Sequence, residues 1–506
     1  MDRPPALILL VITLLACGVP QCPGAQAPAM LPSSAPSASR LLSLGYADPG
    51  VQVNASQELA TGFPPVPAGL TVVSEAPAIG LVVCALDPDV TLSPADFCAK
   101  VLLVHPEVSF CEPDTATATI SQAASATNAT NQRPSASPDD PLFSQQYSLR
   151  QVGLPAAWSS AQLFGSTTIH VCVVDTGIDT SDAEFAGSVF NGTAFVGGQQ
   201  SSDYTDGNSH GSFTAGVVGA ASNNGLGVTG AVQRPSLLIC RFMDATGSGS
   251  LSDAALCFDW CIRQQAAVIS CSFGGTTFSQ ALQAAVQAAS AQNVFVATSA
   301  GNNGVNSDVV KQYPSAFAQT LPGVMAVAAS DASGALWPRS NYGPMSVQIA
   351  APGVSVLGLG LGGVFVTLSG TSMAAPLVAG IAALLFADAG ASPSALRQNA
   401  VADGIKQAIQ ATSTRFTASA DAAKLNGGSG GVVSVPAAIA AFRSSRAYSA
   451  VRKSSISATV VAAFAGIAAG IVVTLLGVVV VIQARQLAER RRDRARVGLV
   501  DDGPGA

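Results

Sequence analysis

Apolar residues along this chain fall into two kinds of run, and their alternation predicts the fold. Short continuous runs, His170 to Val174, Leu237 to Phe242, Ala267 to Ser270 and Val294 to Thr298, have the length and branched composition of strands buried on both faces. Between them lie Ala- and Gln-rich stretches, such as Asp253 to Gln265 and Gln280 to Ala291, that read as helices. Strands alternating with helices predict an α/β fold, a parallel sheet flanked by helices on both faces. Ligands in that architecture bind beyond the carboxyl ends of the strands. The pattern runs from Asp139 to Phe442, about 300 residues, ample for one large core.

Two further apolar runs have no polar face. Ala6 to Cys17, preceded by Arg3 and followed by small Ala25 and Ala27, reads as a signal peptide over residues 1–27. It is shorter than the roughly 20 apolar residues of a membrane span. Ile456 to Ile482 carries no charge over 27 residues and is long enough to cross a bilayer. Arginines from Arg485 to Arg496 follow it as a cytoplasmic flank. Because Arg443, Arg446, Arg452 and Lys453 precede the span, orientation rests mainly on the signal peptide. The expectation is a single-pass type I membrane protein of the secretory pathway or cell surface, with a stalk at 443–455, a span at 456–482 and a tail at 483–506.

Residues 28–138 divide into a Pro/Ser/Ala-rich lead, a compact stretch from about Gly69 to Asp114, and a low-complexity linker from Thr115 to Pro138 that should be exposed to proteolysis. Charged residues make up 11% of the chain and the net charge is −6, with no basic run in the folded portion, which argues against a nucleic-acid partner. Of ten cysteines, Cys17 and Cys22 leave with the signal. Cys84, Cys98 and Cys111 precede the linker, and Cys172, Cys240, Cys257, Cys261 and Cys271 follow it, so in an oxidising compartment each odd set keeps at least one thiol. Asn54, Asn128 and Asn191 stand in glycosylation sequons.

The chemistry is concentrated in four motifs. Ser369 to Gly380, SGTSMAAPLVAG, places the Ser372 hydroxyl at the start of an apolar helix, where unpaired N–H groups and the helix dipole stabilise developing negative charge. Pro376 is expected in the first turn, where a missing N–H costs no helix bond. The run HVCVVDTGID puts Asp175 at a strand's carboxyl end, SHGSFTAG opens a helix with His210, and NVFVATSAGNNG carries Asn302 in a Gly-Asn turn. The chain holds three histidines; His170, five residues before Asp175 on the same strand, stands ~16 Å from it, too far to be its partner. The order Asp175, His210, Ser372, with these strings, resembles the subtilisin family of serine proteases. Ser212 and Phe213 stand where that family usually has Thr and then His or Arg.

The resemblance implies a serine endopeptidase with Ser372 as nucleophile, His210 as general base, Asp175 as its orienting carboxylate and Asn302 as oxyanion donor, and no catalytic cofactor. Two rivals are a catalytically silent ectodomain serving as adhesin or receptor, which a missing triad member would favour, and an esterase, which would need a Gly-x-Ser-x-Gly elbow and the residue order Ser, Asp, His. HPEVSFCEPD is similar to the closing strand of inhibitory prosegments, so residues 28–138 would form a small α+β prosegment that blocks the enzyme until degraded. The stretch around Cys-Phe-Asp-Trp-Cys-Ile is similar to subtilisins of apicomplexan parasites and related protists. Gly247, Ser248 and Gly249 on one side and Ser272, Phe273 and Gly274 on the other leave backbone bare, so an extended peptide substrate adds as a strand between them. By position, Leu251, Ala254 and Phe273 would line a pocket four residues upstream of the cut. Ser299, Ala300, Gly301 and Ser272 would border the pocket beside the cut, with Gln312 at its floor. Neither set holds a carboxylate, which predicts no strict Lys or Arg requirement. Asp140, Glu184 and Asn224 match ligands of a structural Ca²⁺ site, with Glu where Asp is usual.

Overall fold

The computed structural model describes residues 41–46, 67–68, 70–105, 108–114, 117–120, 123–125, 138–158, 168–233, 235–390 and 400–453, with 483 and 485–489. The expected signal peptide, membrane span, Asn54 and Asn128 lie outside the described residues.

Two antiparallel and parallel bodies are built in succession. The first is a four-stranded antiparallel sheet of β1 (Leu41–Tyr46), β2 (Leu70–Ala76), β3 (Leu81–Leu86) and β4 (Val108–Pro113), in the order β2-β3-β1-β4. Strand β1 pairs with both β3 and β4, so a segment read from sequence as part of a low-complexity lead holds the sheet together. The helix Pro94–Val104 covers one face over Leu42, Leu44, Val82 and Cys84, and the disulfide Cys98–Cys111 ties that helix to β4. The opposite face, with Leu81 and Val83, joins the core of the helices Leu251–Arg263 and Gln280–Ala291. The linker contributes β5 (Thr117–Thr119) and β6 (Ala123–Ser125).

The second body is a ten-stranded sheet. Its strands are β7 (Val171–Asp175), β8 (Val189–Val196), β9 (Gln199–Ser201), β10 (Leu237–Arg241), β12 (Val268–Cys271), β13 (Phe295–Ser299), β14 (Val324–Ser330), β15 (Ile349–Pro352), β18 (Thr414–Arg415) and β19 (Gly431–Val432). The order is β18-β19-β15-β14-β13-β12-β7-β10-β8-β9, parallel from β19 to β8 with an antiparallel strand at each edge. Side chains alternate across it: Val171 and Val173 face one core, Cys172 and Val174 the other. The predicted strands and helices appear within a residue or two of their expected bounds, and the helix Gln280–Ala291 matches them. Disulfides Cys172–Cys261 and Cys240–Cys257 pin β7 and β10 to the helix Leu251–Arg263. Cys84 and Cys271 are the buried thiols that the odd counts require.

Two features matter for the site. Strands β10, β8 and β9 lie to one side of β7 and β12 to β15 to the other, so β7 and β12 meet where the connections switch sides of the sheet, and in such sheets the ligand crevice lies at the carboxyl ends of those strands. On the core side of that crevice lies the helix Thr371–Ala389, almost wholly buried. Among the described residues it is the one helix long and apolar enough to cross a membrane, and its burial marks it as the core helix instead.

Candidate active site

Asp175 ends β7 with 2% of its surface exposed. Its Oδ1 accepts from His210 Nδ1 at 2.7 Å and from Thr176 N at 2.8 Å, and Oδ2 accepts from Thr214 Oγ1 at 3.1 Å. Three donors fix the carboxylate, and the carboxylate fixes the imidazole. With Nδ1 engaged, Nε2 is the nitrogen left for proton transfer, and among the described residues it is buried without a hydrogen-bond partner. His170 turns elsewhere, bonding Ser236 Oγ at 2.7 Å and stacking on Phe190.

The helix His210–Gly219 sits tight against β7: a Cβ on Gly211 would stand 2.2 Å from the Gly177 carbonyl oxygen. Asp206 organises the turn before it. Its Oδ1 accepts from Thr176 Oγ1, Asn208 N and Ser209 N, and its Oδ2 from Ser212 N and Ser212 Oγ. Ser212, one of the two departures from the family string, is therefore a structural hydroxyl that also accepts from Asp179 N at 2.9 Å. Sequence reading missed Asp206 and Thr214, because an Asp before Gly reads as a turn former and a helical Thr carries no signal.

Ser372 is the second residue of its helix. Its Oγ donates to the Ser272 carbonyl at 3.1 Å, while Ser272 Oγ donates to the Ser372 carbonyl at 2.9 Å. Ser272 follows Cys271, which pairs with Val174 next to Asp175, so this reciprocal pair brings Ser372 to the end of β7. Pro376 corrects one expectation. It lies inside the helix, beyond the first turn, and lacks the N–H that would serve the Ser372 carbonyl four residues back. The Ser272 hydroxyl supplies that donor.

Asn302, at the end of the β13 turn, accepts through Oδ1 from Thr371 N at 2.8 Å and Thr371 Oγ1 at 2.9 Å. This network assigns the carboxamide orientation and leaves Nδ2 as the amide's donor group. Asn341 braces the same turn, accepting from Asn303 N and Val305 N and donating to the Ala300 carbonyl. A pocket of about 230 Å³ is lined by Ser272, Phe273, Gly274, Ser299, Gly301, Asn302, Gln312 and Ser372, among others, with Thr119 at its edge. Its lining has no carboxylate, and Gln312 makes it polar. Ala300 is the exception among the expected residues: its side chain is packed in the core.

The groove beside this pocket is occupied by the chain itself. Strand β5 pairs antiparallel with β11 (Ser248–Ser250), with Thr119 opposite Ser248, Ala118 opposite Gly249 and Thr117 opposite Ser250. Ile120 N extends the β11 side by donating to the Gly247 carbonyl at 3.3 Å, and on the other side Thr119 bridges Gly274. Ala118 is fully buried in the cluster of Leu251, Ala254 and Phe273. The bare backbone of the two glycine loops thus takes up an extended strand.

The sheet that leads into this strand is fastened to helix starts. Glu112 accepts from Ser279 Oγ, Gln280 N and Ala281 N at the N-terminus of the helix Gln280–Ala291. Asp114 accepts from Ser252 Oγ at 2.6 Å, and burial pushes its carboxyl up to about 6.

Asp140, Glu184 and Asn224 are also brought together, but not as a cation cage. Asn224 Oδ1 accepts from Leu226 N at 2.9 Å, which turns its Nδ2 toward Glu184 Oε2 at 3.0 Å. Glu184 Oε1 accepts from Val228 N, and the Asp140 oxygens from Asn223 N and Asn224 N. An amide donor stands where a Ca²⁺ ligand should present oxygen. Burial raises both carboxyls above their ordinary range. The donor set as arranged does not fit calcium, and hydrogen bonds hold the loop. Among the described residues no cluster of three His, Cys, Asp or Glu side chains is placed to hold a metal.

Residues 166–430 match the Subtilase family. The chain belongs to that family. It is a serine endopeptidase by that membership, similar to thermitase of Thermoactinomyces vulgaris, at 36% identity over 51% of this chain and 88% of thermitase. A thermostable alkaline protease of Halalkalibacterium halodurans is 39% identical over 44% of this chain and 58% of its own length. Subtilisin NAT of Bacillus subtilis subsp. natto is 37% identical over 47% of this chain and 60% of its own. These three relatives are bacterial. Like its relatives, this subtilase needs no catalytic cofactor.

Proposed function

We propose that this subtilase is made as a secretory, membrane-anchored zymogen, and that Asp175, His210 and Ser372 form its triad with Asn302 as oxyanion donor. The observation that carries the reading is the buried imidazole, bonded to Asp175 through Nδ1 with Nε2 unengaged. Ser372 attacks the scissile carbonyl carbon, and His210 Nε2 takes its proton and passes it to the leaving amine. Asp175 holds the tautomer and stabilises the charged ring. The Ser372 N–H, at the helix start, and Asn302 Nδ2 stabilise the oxyanion. Ser372 Oγ rests on the Ser272 carbonyl here, and such bonds commonly tighten onto the base only with substrate in place.

Substrates are proteins with small or polar residues before the cut, bound as the strand between β11 and Phe273–Gly274. The four-stranded domain, docked through Glu112 and Asp114, supports the role of residues 28–138 as an inhibitory prosegment. Anchoring by 456–482 and a type I orientation rest on sequence alone. Calcium has no part in this reading.

The test is the full chain in membranes, wild type against Ser372→Ala, treated with a fluorophosphonate and with casein. Labelling and casein hydrolysis in wild type alone are expected. A folded, prosegment-free wild type that shows neither would leave the silent-ectodomain reading in its place.

A further inference from the structure

We infer that the amino-terminal edge of the ten-stranded sheet is the surface this enzyme turns to the membrane, so that its cleft opens away from the bilayer and takes protein substrates whose cut site stands well clear of the lipid. The inference rests on the proposed anchor at 456–482 and names the substrate class of the proposed Ser372 site.

Residues 443–453, expected as a stalk, are part of the catalytic body. Val451 is fully buried in the main core, and Ala447 and Tyr448 pack against that core. Tyr448 meets Phe442 edge to face with ring centroids 5.5 Å apart, and a Cβ on Gly404 would stand 2.7 Å from the Ala447 Cβ. Arg443 grips Asp388 through two nitrogens at 2.8 and 2.6 Å, and a Cβ on Gly390 would stand 3.0 Å from Arg452 Nη1. Both arginines thus close on the C-terminal end of the helix Thr371–Ala389, where the helix dipole favours positive charge. Helical residues 446–453 end at exposed Arg452 and Lys453. Ser454 and Ser455 are all that separate them from the expected span. Three fully extended steps from Lys453 to Ile456 cover at most about 11 Å, which bounds the distance from Lys453 to the lipid surface.

Two independent features put Ser372 on the other side of the body. The first is the helix itself. Ser372 is its second residue, the two arginines hold its far end, and from Ser372 to Ala389 an α-helix rises about 26 Å. The second is strand polarity. Ala402 and Gly404 belong to the helix Val401–Ala411, whose start is fixed to the sheet: Ala402 N donates to Asn293 Oδ1 at 3.0 Å, and a Cβ on Gly323 would stand 2.9 Å from the Ala402 Cβ. Asn293 and Gly323 lie just before β13 and β14, at their amino ends. Asp175 and Asn302 lie at or just beyond the carboxyl ends of β7 and β13, in the same parallel run. Anchor and cleft therefore occupy opposite edges of one sheet. A body seated through 443–453 on so short a tether cannot tip its cleft to the lipid, so it reaches a membrane protein only where that protein projects about 25 Å or more, and reaches soluble proteins freely.

The full chain, wild type and with an insert of about 30 Gly and Ser residues between Ser454 and Ser455, would be placed in phosphatidylcholine vesicles. Each would be given one casein peptide in three forms: free, tethered to lipid within about 10 Å of the surface, or tethered on a helical spacer of about 40 Å. Carbonate extraction and fluorophosphonate labelling are read alongside. We expect wild type to cut the long-tethered peptide at least about tenfold faster than the short-tethered one, the insert to bring the two within about threefold, and free peptide to be cut equally by both chains. A retained, labelled wild type that cuts both tethered peptides alike would overturn the inference and leave anchor and peptidase standing. A preference that survives the insert would overturn seating through 443–453 as its cause. Release by carbonate would remove the anchor and this inference with it. A retained chain that is neither labelled nor active would sink the peptidase reading and the substrate class together.

Discussion

The bond between Ser272 Oγ and the Ser372 carbonyl gives a sharp test, because Pro376 is the reason it is needed. Ser272→Ala removes the hydroxyl and leaves a carbonyl without a donor in a site where Ser272 is 1% and Ser372 2% exposed. Such an orphaned buried group costs about 1–3 kcal/mol. At about 2 °C per kcal/mol for a large domain, the melting temperature should fall by about 2–6 °C. Pro376→Ala restores a backbone N–H four residues after Ser372, so in that background Ser272→Ala should cost about 1 kcal/mol less or better. The comparison is best made by thermal unfolding of all variants at one fixed scan rate in the Ser372→Ala background, which keeps the backbone carbonyl and prevents autolysis. Equal losses with and without Pro376 would show that the proline does not create the need for Ser272.

Four other outcomes follow from the geometry. Glu112→Ala removes three bonds at the start of the helix Gln280–Ala291, one of them to a hydroxyl, and on the proposed prosegment role should shorten the lag before peptidase activity by about tenfold or more. Asp114, raised by burial from 3.8 to about 6 when docked, makes docking tightest below about pH 4 and weaker as pH rises through about 6. The lag should therefore lengthen at acid pH, by at most about a hundredfold, and Asp114→Asn should flatten that dependence. Arg443 meets the buried Asp388 carboxylate through Nε at 2.8 Å and a second nitrogen at 2.6 Å, with the arginine side chain 40% exposed. After allowance for that exposure, Arg443→Ala should cost about 2–3 kcal/mol, seen as a fall of roughly 4–6 °C in melting temperature. A chelator should shift the melting temperature by less than about 2 °C; a larger drop would restore calcium to the Glu184 loop.

What could be read from sequence was what local residue type decides. Branched apolar runs between helical stretches pointed to the parallel sheet, and scarce histidine in a specific order pointed to Asp175, His210 and Ser372, the triad proposed above. Features decided by distant partners stayed hidden. Strand β1 reads as part of a Pro/Ser/Ala lead because its strand character comes from pairing with β3 and β4. The linker residues of β5 and β6 are Thr, Ala and Ser, and they become strands only because the cleft offers backbone partners, which any side chain tolerates. Asn224 was matched by position to a metal ligand, whereas a single backbone bond to Leu226 sets which end of its amide faces Glu184.

The helix Thr371–Ala389 carries a consequence for the lifetime of the molecule. Its apolar surface is hidden only while the sheet and the flanking helices enclose it. Once the domain opens, a membrane-length apolar segment is released into water, where it finds other chains or a lipid surface faster than it finds its way back. Durability is then governed by the rate of opening rather than by an equilibrium, and inactivation by heat should be scan-rate dependent and irreversible. The helix that presents the proposed nucleophile, Ser372, is also the segment whose exposure ends the enzyme's working life.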